Sequence, residues 1–287
     1  MSWPWLVLGL AGLAALLALA YWQLIIAEGT YLGPQVVAWT YDLVASRYDA
    51  IKQFDTRNES WFVAAPLLRE LAAVEHPLIL DVATGTGRLP LALLRERFRG
   101  RILALDLSPR MLHQARRKLQ SYGEQVSLIR QDASRLPFDD GTFDAVTCLE
   151  ALEFMPQPLE MLAEMVRVLA PGGVLYLTNR VGWESRLLPG RAMTRPKFEG
   201  VLAKYSLLEI QVRRWQANYD LALARKSGQP LPGREPGQDL ASLLRCPACG
   251  EPVARKVASL ACTGCGQAYP IQDGVVNLVA GKQTDGS

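Results

Sequence analysis

Between Leu78 and Arg180, five short apolar runs alternate with amphipathic segments. LILDV (Leu78 to Val82), RILALDLS (Ile102 to Leu107 at its centre), QVSLIRQDA (ending near Asp132), FDAVTCLEA and the run after the PGG turn, GGVLYLTNR, have the length and content of buried strands. RLPLALLRER, PRMLHQARRKLQS and PLEMLAEMVRVLA between them have helical spacing, as does a stretch from Ser60 to Val74 upstream. Strands separated by helices require a parallel sheet covered on both faces. Two further alternating runs, LLEIQVRRW and YDLALARK, predict a closing antiparallel hairpin. The expectation is an α/β fold: a doubly wound, mostly parallel, seven-stranded, Rossmann-like sheet.

Such sheets bind ligands beyond the carboxyl ends of their strands. The turn after the first strand, Asp81-Val82-Ala83-Thr84-Gly85-Thr86-Gly87, has glycines that allow backbone to approach a ligand closely. It is not the GxGxxG of nicotinamide binding, because Pro90 occupies the third glycine position and the first strand carries an acid, Asp81. The second strand ends in Asp106, 19 residues after Gly87, a spacing that suits a carboxylate holding two ribose hydroxyls.

LDVATGTG, ALDLS, RQDASRLPFDDGTFDAVTCLEALEF and EMVRVLAPGG, in that order over about residues 40 to 226, resemble the class I S-adenosylmethionine-dependent methyltransferases. The resemblance implies that Asp81, Ala83, Gly85 and Gly87 frame the methionine part of S-adenosyl-L-methionine. It implies that Asp106 holds the ribose, that Leu107 packs on adenine, and that Asp132 and Ala133 meet its polar edge. Cys148 and Leu149 would border the sulfonium. YDLVASRYD is similar to the lid of quinone-biosynthesis and related small-molecule methyltransferases, which would place Tyr41 and Tyr48 near the cofactor. Cys148-Leu149-Glu150-Ala151 stands where amino-group methyltransferases carry Asn/Asp-Pro-Pro-Tyr, so carbon or oxygen acceptors are favoured. Glu150 and Glu153 are the carboxylates best placed as a base for a weakly acidic acceptor.

The two ends differ from the middle. No charged side chain occurs from Met1 to Ala27, and Trp5 to Ala27 includes eight leucines flanked by aromatic residues. At about 1.5 Å per residue this stretch matches a bilayer's hydrocarbon core. A signal peptide would carry basic residues before the apolar run, and a core helix would rarely run so long without a charge. A retained transmembrane anchor is the expectation.

At the other end, SGQPLPGREPGQD reads as an extended linker. Cys246-Pro247-Ala248-Cys249 and Cys262-Thr263-Gly264-Cys265 follow, with twelve residues between the pairs. Two CxxC knuckles supply four thiolates for one tetrahedral, structural Zn2+. CPACG, CTGCG and YPIQDGV resemble the small zinc-ribbon proteins that activate methyltransferases of tRNA, rRNA and release factors, which implies a module that extends and stabilises the enzyme's sheet. Four basic and four acidic residues over 238–287 argue against nucleic acid as its partner. Basic residues exceed acidic ones by only three over the whole chain, which excludes a protein driven to nucleic acid by bulk charge.

The expected organisation is an anchor (residues 1–27), a methyltransferase domain (28–226), a linker (227–240) and a zinc ribbon (241–287). Thiolate zinc and the methyl donor belong in a reducing compartment, so the catalytic domain of a single-pass membrane protein would be cytoplasmic. The expected acceptor is a hydrophobic small molecule, such as a lipid or quinone precursor, at the bilayer. An RNA or protein methyltransferase with a fused activator and a non-catalytic cofactor-binding scaffold are the alternatives. Residues 180–214 carry eight basic side chains, among them Arg191 and Arg195, against three acidic ones, with Trp183, Leu187, Leu188, Met193 and Phe198 interspersed. They are expected to cover the acceptor pocket and to meet anionic head groups.

Overall fold

The computed structural model describes residues 3–230 and 238–279. The apolar N-terminal run forms α1 (Trp3–Tyr21), which continues through a π turn, Trp22–Ile26, and buries none of its own residues. Two short helices follow, α2 (Pro34–Val44) and α3 (Tyr48–Lys52), and then a helical stretch made of α4 (Thr56–Glu59), a π turn and α5 (Ala65–Glu70). The last of these ends four residues before Val74, the expected limit, because the chain turns there to enter the sheet.

The sheet alternates as its pattern demands. β1 (Leu78–Val82), β2 (Arg101–Asp106), β3 (Val126–Arg130), β4 (Phe143–Cys148) and β5 (Leu169–Arg180) are parallel. Between them lie α6 (Arg88–Arg95), α7 (Pro109–Leu119) and α8 (Pro158–Val168). After β5 comes α9 (Arg195–Leu202), and β6 (Leu207–Gln216) and β7 (Tyr219–Lys226) then close the sheet in antiparallel fashion. Helix starts are locally encoded: Pro109 occupies the first turn of α7, and the hydroxyl of Ser108 accepts from the Met111 amide at 3.0 Å. All five residues of β1 are buried, as a central strand covered on both faces must be.

The C-terminal cysteine-rich segment is not a bead on a string. It adds α10 (Leu240–Leu243) and four strands: β8 (Val253–Arg255), β9 (Ser259–Cys262), β10 (Ala268–Gln272) and β11 (Val275–Asn277). Among the described residues these continue the same sheet, in the order β6-β7-β5-β4-β1-β2-β3-β11-β10-β9-β8. β11 lies parallel to β3, with Val275 opposite Leu128 and Asn277 opposite Arg130. That pairing covers the edge β3 would otherwise leave open.

Side chains reinforce the junction. Leu136, Phe138 and Phe143 share one buried cluster with Leu240, Leu244, Tyr269, Val276 and Leu278, and Arg245 pairs with Asp139. Arg167 donates to the carbonyls of Leu136 and Phe138 at 2.9 and 2.8 Å, shaping the loop on which the ribbon rests. Of the expected linker, residues 231–237 lie outside the described residues, and Leu240 already belongs to the ribbon's first helix.

Candidate functional site

The carboxyl ends of β1, β2 and β4 open into a cleft roofed by α2 and α3. Its walls include Val37, Ala38, Tyr41 and Tyr48 from the roof, then Ala83, Gly85, Asp106, Leu107, Asp132, Ala133, Leu149 and Glu150 from the strand ends. Nine of the twelve residues expected around the cofactor thus line one cleft: Tyr41, Tyr48, Ala83, Gly85, Asp106, Leu107, Asp132, Ala133 and Leu149. A larger cavity of about 570 Å³ lies at the opposite, amino ends of β1, β2 and β3, against the ribbon, away from the carboxyl ends where such sheets bind ligands.

The cleft's polar floor is built from backbone. Asp106 accepts from the Gly85 amide at 2.8 Å and the Ser108 amide at 2.9 Å, which aims its carboxylate across the glycine turn. Burial raises its pKa to about 6 against those bonds. Gly85 has φ +55° and a Cβ there would meet nothing within 4 Å, so its Cα faces the open cleft. Asp132 accepts from the Ser134 amide at 2.8 Å, which sets the turn after β3. This set fits a ribose-bearing, adenine-bearing methyl donor: a carboxylate at the end of β2, an open glycine turn, and apolar Leu107, Met111 and Ala133 beside them.

Three expected residues stand elsewhere. Asp81 is buried behind the turn, where it accepts from the Thr147 hydroxyl at 2.6 Å and borders only a small side pocket shared with Gly85 and Arg88. Burial raises its pKa to about 6. Gly87 has φ +78°, and a Cβ would lie 2.8 Å from Leu119 Cδ1 and 3.3 Å from Ala115 Cα, so it serves the close packing of α6 on α7. Cys148 has no exposed surface and sits in the main core cluster, with burial pushing its thiol pKa well up.

The roof is fastened to the floor. Asp42 accepts from the Ser108 hydroxyl at 2.5 Å and from the Arg110 amide at 3.0 Å. Asp49 accepts from Thr86 at 2.6 Å and pairs with Lys118. Tyr41 and Tyr48 lean on each other, with ring centroids 5.7 Å apart.

Beside the cleft lies a polar chamber of about 290 Å³, lined by Glu28, Lys52, Phe54, Glu150, Arg180, Glu184, Gln216 and Tyr219 among others. Glu150 borders cleft and chamber alike. Its backbone is left-handed, φ +54°, with its amide donating to Thr178 Oγ1 at 2.6 Å. Such a conformation costs of order 1–3 kcal/mol and persists only where the surroundings impose it. Lys52 Nζ lies 2.9 Å and Arg88 Nη1 2.5 Å from its carboxylate, and Arg88 also grips Glu59 at 2.5 and 2.7 Å. Burial works to raise the Glu150 pKa, but Lys52 and Arg88 outweigh it and hold the group below its ordinary value. Glu150 is therefore an ionised, fully paired carboxylate, poorly suited to take a proton.

Glu153 is the opposite. It is 2% exposed, accepts from the Tyr219 hydroxyl at 2.7 Å, and leaves its second oxygen without a hydrogen-bond partner. Burial raises its pKa to about 7. It does not line the chamber itself; Tyr219 stands between. The region expected to be a basic, membrane-facing cover is also different. Leu188, Met193 and Phe198 are buried in the core, Arg191 donates to the Met155, Pro156 and Thr30 carbonyls, and Arg195 binds Asp220 at 2.6 and 2.9 Å. Of the apolar residues there, Trp183 and Leu208 are left widely exposed.

Sequence reasoning passed over Glu28, Lys52, Arg88 and Tyr219. Arg88 did leave a signal: an arginine at the first turn of a helix opposes the helix dipole and calls for a carboxylate partner.

In the ribbon, one sulfur from each of Cys246, Cys249, Cys262 and Cys265 lies within 4.8 Å of the others. Two of the separations are 3.7 and 3.4 Å, near the roughly 3.8 Å edge of a tetrahedron with 2.3 Å zinc–sulfur bonds. The amides of Gly264 and Cys265 point at Cys262 Sγ from 3.4 Å, and Tyr269 Oη lies 2.9 Å from Cys246 Sγ. Four thiolates with this support fit Zn2+ and leave it no open position.

Comparison with known proteins agrees with this layout. Residues 80–177 match the family model described as a methyltransferase domain, and residues 238–274 match the Trm112p-like protein model. The chain is 47% identical over 141 residues to the demethylmenaquinone methyltransferase of Thermus thermophilus, a match covering 47% of this chain and 61% of that protein. It is 31% identical over 161 residues to the ubiquinone/menaquinone biosynthesis C-methyltransferase UbiE of Roseobacter denitrificans, covering 55% and 62%. The chain thus spans about three fifths of the length of these relatives.

Among solved structures, the [4+2]-cyclase SpnF is similar with a TM-score of 0.56 at 19% identity, covering 69% of this chain and 97% of that one. A complex of the Haloferax volcanii Trm112 methyltransferase activator is similar with a TM-score of 0.50 at 22% identity, covering 67% and 97%. At such identities these show the fold alone. The chain joins a methyltransferase domain, matched over residues 80–177, to a Trm112p-like zinc ribbon, matched over residues 238–274.

Proposed function

We propose that this protein transfers the methyl group of S-adenosyl-L-methionine to a carbon or oxygen of a hydrophobic, quinone-type precursor. The observation that carries the reading is the meeting of cleft and chamber at Glu150. The cleft has the carboxylate and open glycine turn that a nucleoside-bearing donor needs, and the adjoining chamber has room for an acceptor. The names of the relatives, which act in menaquinone and ubiquinone biosynthesis, support the acceptor class.

The donor, when bound, supplies an already activated methyl group. The chain's part is to bind, orient and exclude water. Asp106 would hold the ribose; Asp132 and Ala133 would meet the adenine edge; Tyr41 and Tyr48 would close over the methionine end. Holding two reactants in line contributes roughly 7–11 kcal/mol. A hydroxylated ring becomes a carbon nucleophile when it gives up a phenolic proton. Lys52 and Arg180 line the chamber and would favour the resulting anion. Glu150 would hold Lys52 and Arg88 in place, and Glu153 would take the proton by way of Tyr219.

The α1 helix has the length and hydropathy to cross a bilayer, with none of its span buried. With the reducing chemistry of zinc thiolates, this supports a single-pass protein whose catalytic domain is cytoplasmic. The ribbon favours a second reading, methylation of RNA or protein. None of its residues lines cleft or chamber, however.

The test is incubation of the full chain with methyl-labelled donor in the presence of demethylmenaquinol, tRNA and a protein extract. Label in the organic extract is expected. Label only in RNA or protein would move the function to the second reading. Donor binding with no label anywhere would point to a scaffold.

A further inference from the structure

The α1 helix is not tethered to the domain by a loose linker. Its last turns are clamped. Trp22 Nε1 donates to the Leu187 carbonyl at 3.0 Å, and the Trp22 ring stacks on Tyr31 with centroids 5.3 Å apart. Tyr31 donates to the Pro189 carbonyl at 2.9 Å and lies under Arg191. The Thr30 hydroxyl is 3.1 Å from the Phe154 carbonyl, and Ala27 is buried with Phe154 and Leu188. Phe154 itself lines the cleft. A single residue therefore separates the foot of the apolar helix from the candidate cofactor site.

The roof that follows is a helix with two apolar faces. On α2, Val37, Ala38 and Tyr41 point into the cleft at helical spacing. On the outer side Trp39 and Leu43, one turn apart, are 52% and 58% exposed, and Leu32 just before the helix is 52% exposed. A short amphipathic helix needs only one apolar face to dock on its own domain. The outer stripe is therefore without a protein partner among the described residues. It begins six residues after the last residue of the apolar span. With the foot clamped, the 11 residues of α2 reach only about 16 Å along the helix, so the stripe stays close to wherever α1 enters lipid.

We propose that the outer face of α2 lies in the interfacial layer of the bilayer crossed by α1, so that the roof of the cleft is a membrane contact and the acceptor reaches the chamber from the lipid. This rests on the membrane and acceptor readings above and adds the surface involved. Residues 28–62 carry Glu28, Asp42, Asp49, Asp55 and Glu59 against Arg47, Lys52 and Arg57, so attraction to anionic lipid does not drive the contact. Trp39 and Leu43 drive it by burial of apolar surface, with tryptophan at the level such rings favour.

The test uses the full chain reconstituted in vesicles of phosphatidylcholine, with and without phosphatidylglycerol. A photo-crosslinking benzophenone residue replaces Leu43, and a control carries it at Lys256, on the ribbon. Lipid adducts at position 43 but not at 256, at equal yield in both vesicles, are expected. No lipid adduct at 43, or a chain-to-chain adduct there, would overturn the proposal whatever the enzyme methylates.

A second arm measures Trp39→Asp with Leu43→Asp. The expected result is about a tenfold loss of kcat/KM for an acceptor dissolved in the bilayer, with donor affinity and turnover of a water-soluble, short-chain acceptor unchanged. Equal losses for both acceptors would overturn the lipid route. Failure of the wild-type chain to methylate either acceptor, with lipid adducts at 43 intact, would instead reject the acceptor reading alone.

Discussion

The N-terminal segment and the C-terminal ribbon are both attached to the same α/β sheet, and they are attached by different physics. The ribbon joins through backbone: β11 pairs with β3, and a shared apolar core fills the angle between them. The N-terminal segment joins through side chains: Trp22, Thr30, Tyr31, Asp42 and Asp49 each bond a particular group of the domain. The first mode extends the fold at the β3 edge and adds no residue to the cleft. The second builds the roof of the cleft itself. Edge strands can be extended without disturbing chemistry, whereas a roof has to be fixed residue by residue.

If the ribbon is structural, its metal should dominate stability. Structural zinc contributes on the order of 10 kcal/mol to the folding of such modules. Cys262→Ser should lose zinc by elemental analysis. Because the core is shared, it should also lower the thermal midpoint of the whole chain and not of the ribbon alone. A variant that unfolds in two steps, the enzyme unaffected, would break the comparison.

The next effect belongs to the roof and chamber. Arg88 neutralises Glu59 and Glu150, all with side chains at most 11% exposed. Arg88→Ala leaves two buried carboxylates without that partner and should cost about 3–5 kcal/mol in denaturant unfolding. A cost below 1 kcal/mol would mean that water enters the chamber freely.

A smaller effect follows from Glu153, whose pKa in the fold is raised by burial to about 7 from an ordinary value of 4.5. A raised acid binds its proton more tightly in the fold. Its contribution is fully present below pH 4.5 and is lost as pH rises through about 7, up to about 3 kcal/mol. Asp81 and Asp106, raised to about 6, act with the same sign. Glu153→Gln should flatten the upper part of that profile while still accepting from Tyr219. An unchanged profile would assign the pH dependence to the two aspartates.

The sheet was legible because its information is local. Buried strands read as apolar runs, Ser108-Pro109 announces α7, and the acid that ends β2 marks where ligands collect. Asp106 could be placed for that reason, since a strand end fixes direction, whereas Leu107, Asp132 and Ala133 were placed by the resemblance to methyltransferases. Gly87 and Cys148 were harder: the same motif spacing brings one residue to the cleft and another to a neighbouring helix or the core, and only packing, of Gly87 against Ala115 and Leu119 and of Cys148 within the core, distinguishes them. The chamber was illegible because its walls come from segments as distant as Glu28, Lys52, Glu150 and Tyr219. The partners of Arg191 and Arg195 in the basic stretch of residues 180–214 were illegible for a related reason. Charge can be counted in a sequence, but the carbonyls and Asp220 that occupy Arg191 and Arg195 cannot.

The central claim is that the cleft at the ends of β1 and β2 holds S-adenosyl-L-methionine through Asp106. Calorimetric titration of the donor into the wild-type chain and into Asp106→Ala tests it. Charge-assisted hydrogen bonds of roughly 1.5–3 kcal/mol each predict one site per chain, weakened at least tenfold by the substitution. Equal affinity in the two proteins, with the fold intact by circular dichroism, would contradict the account.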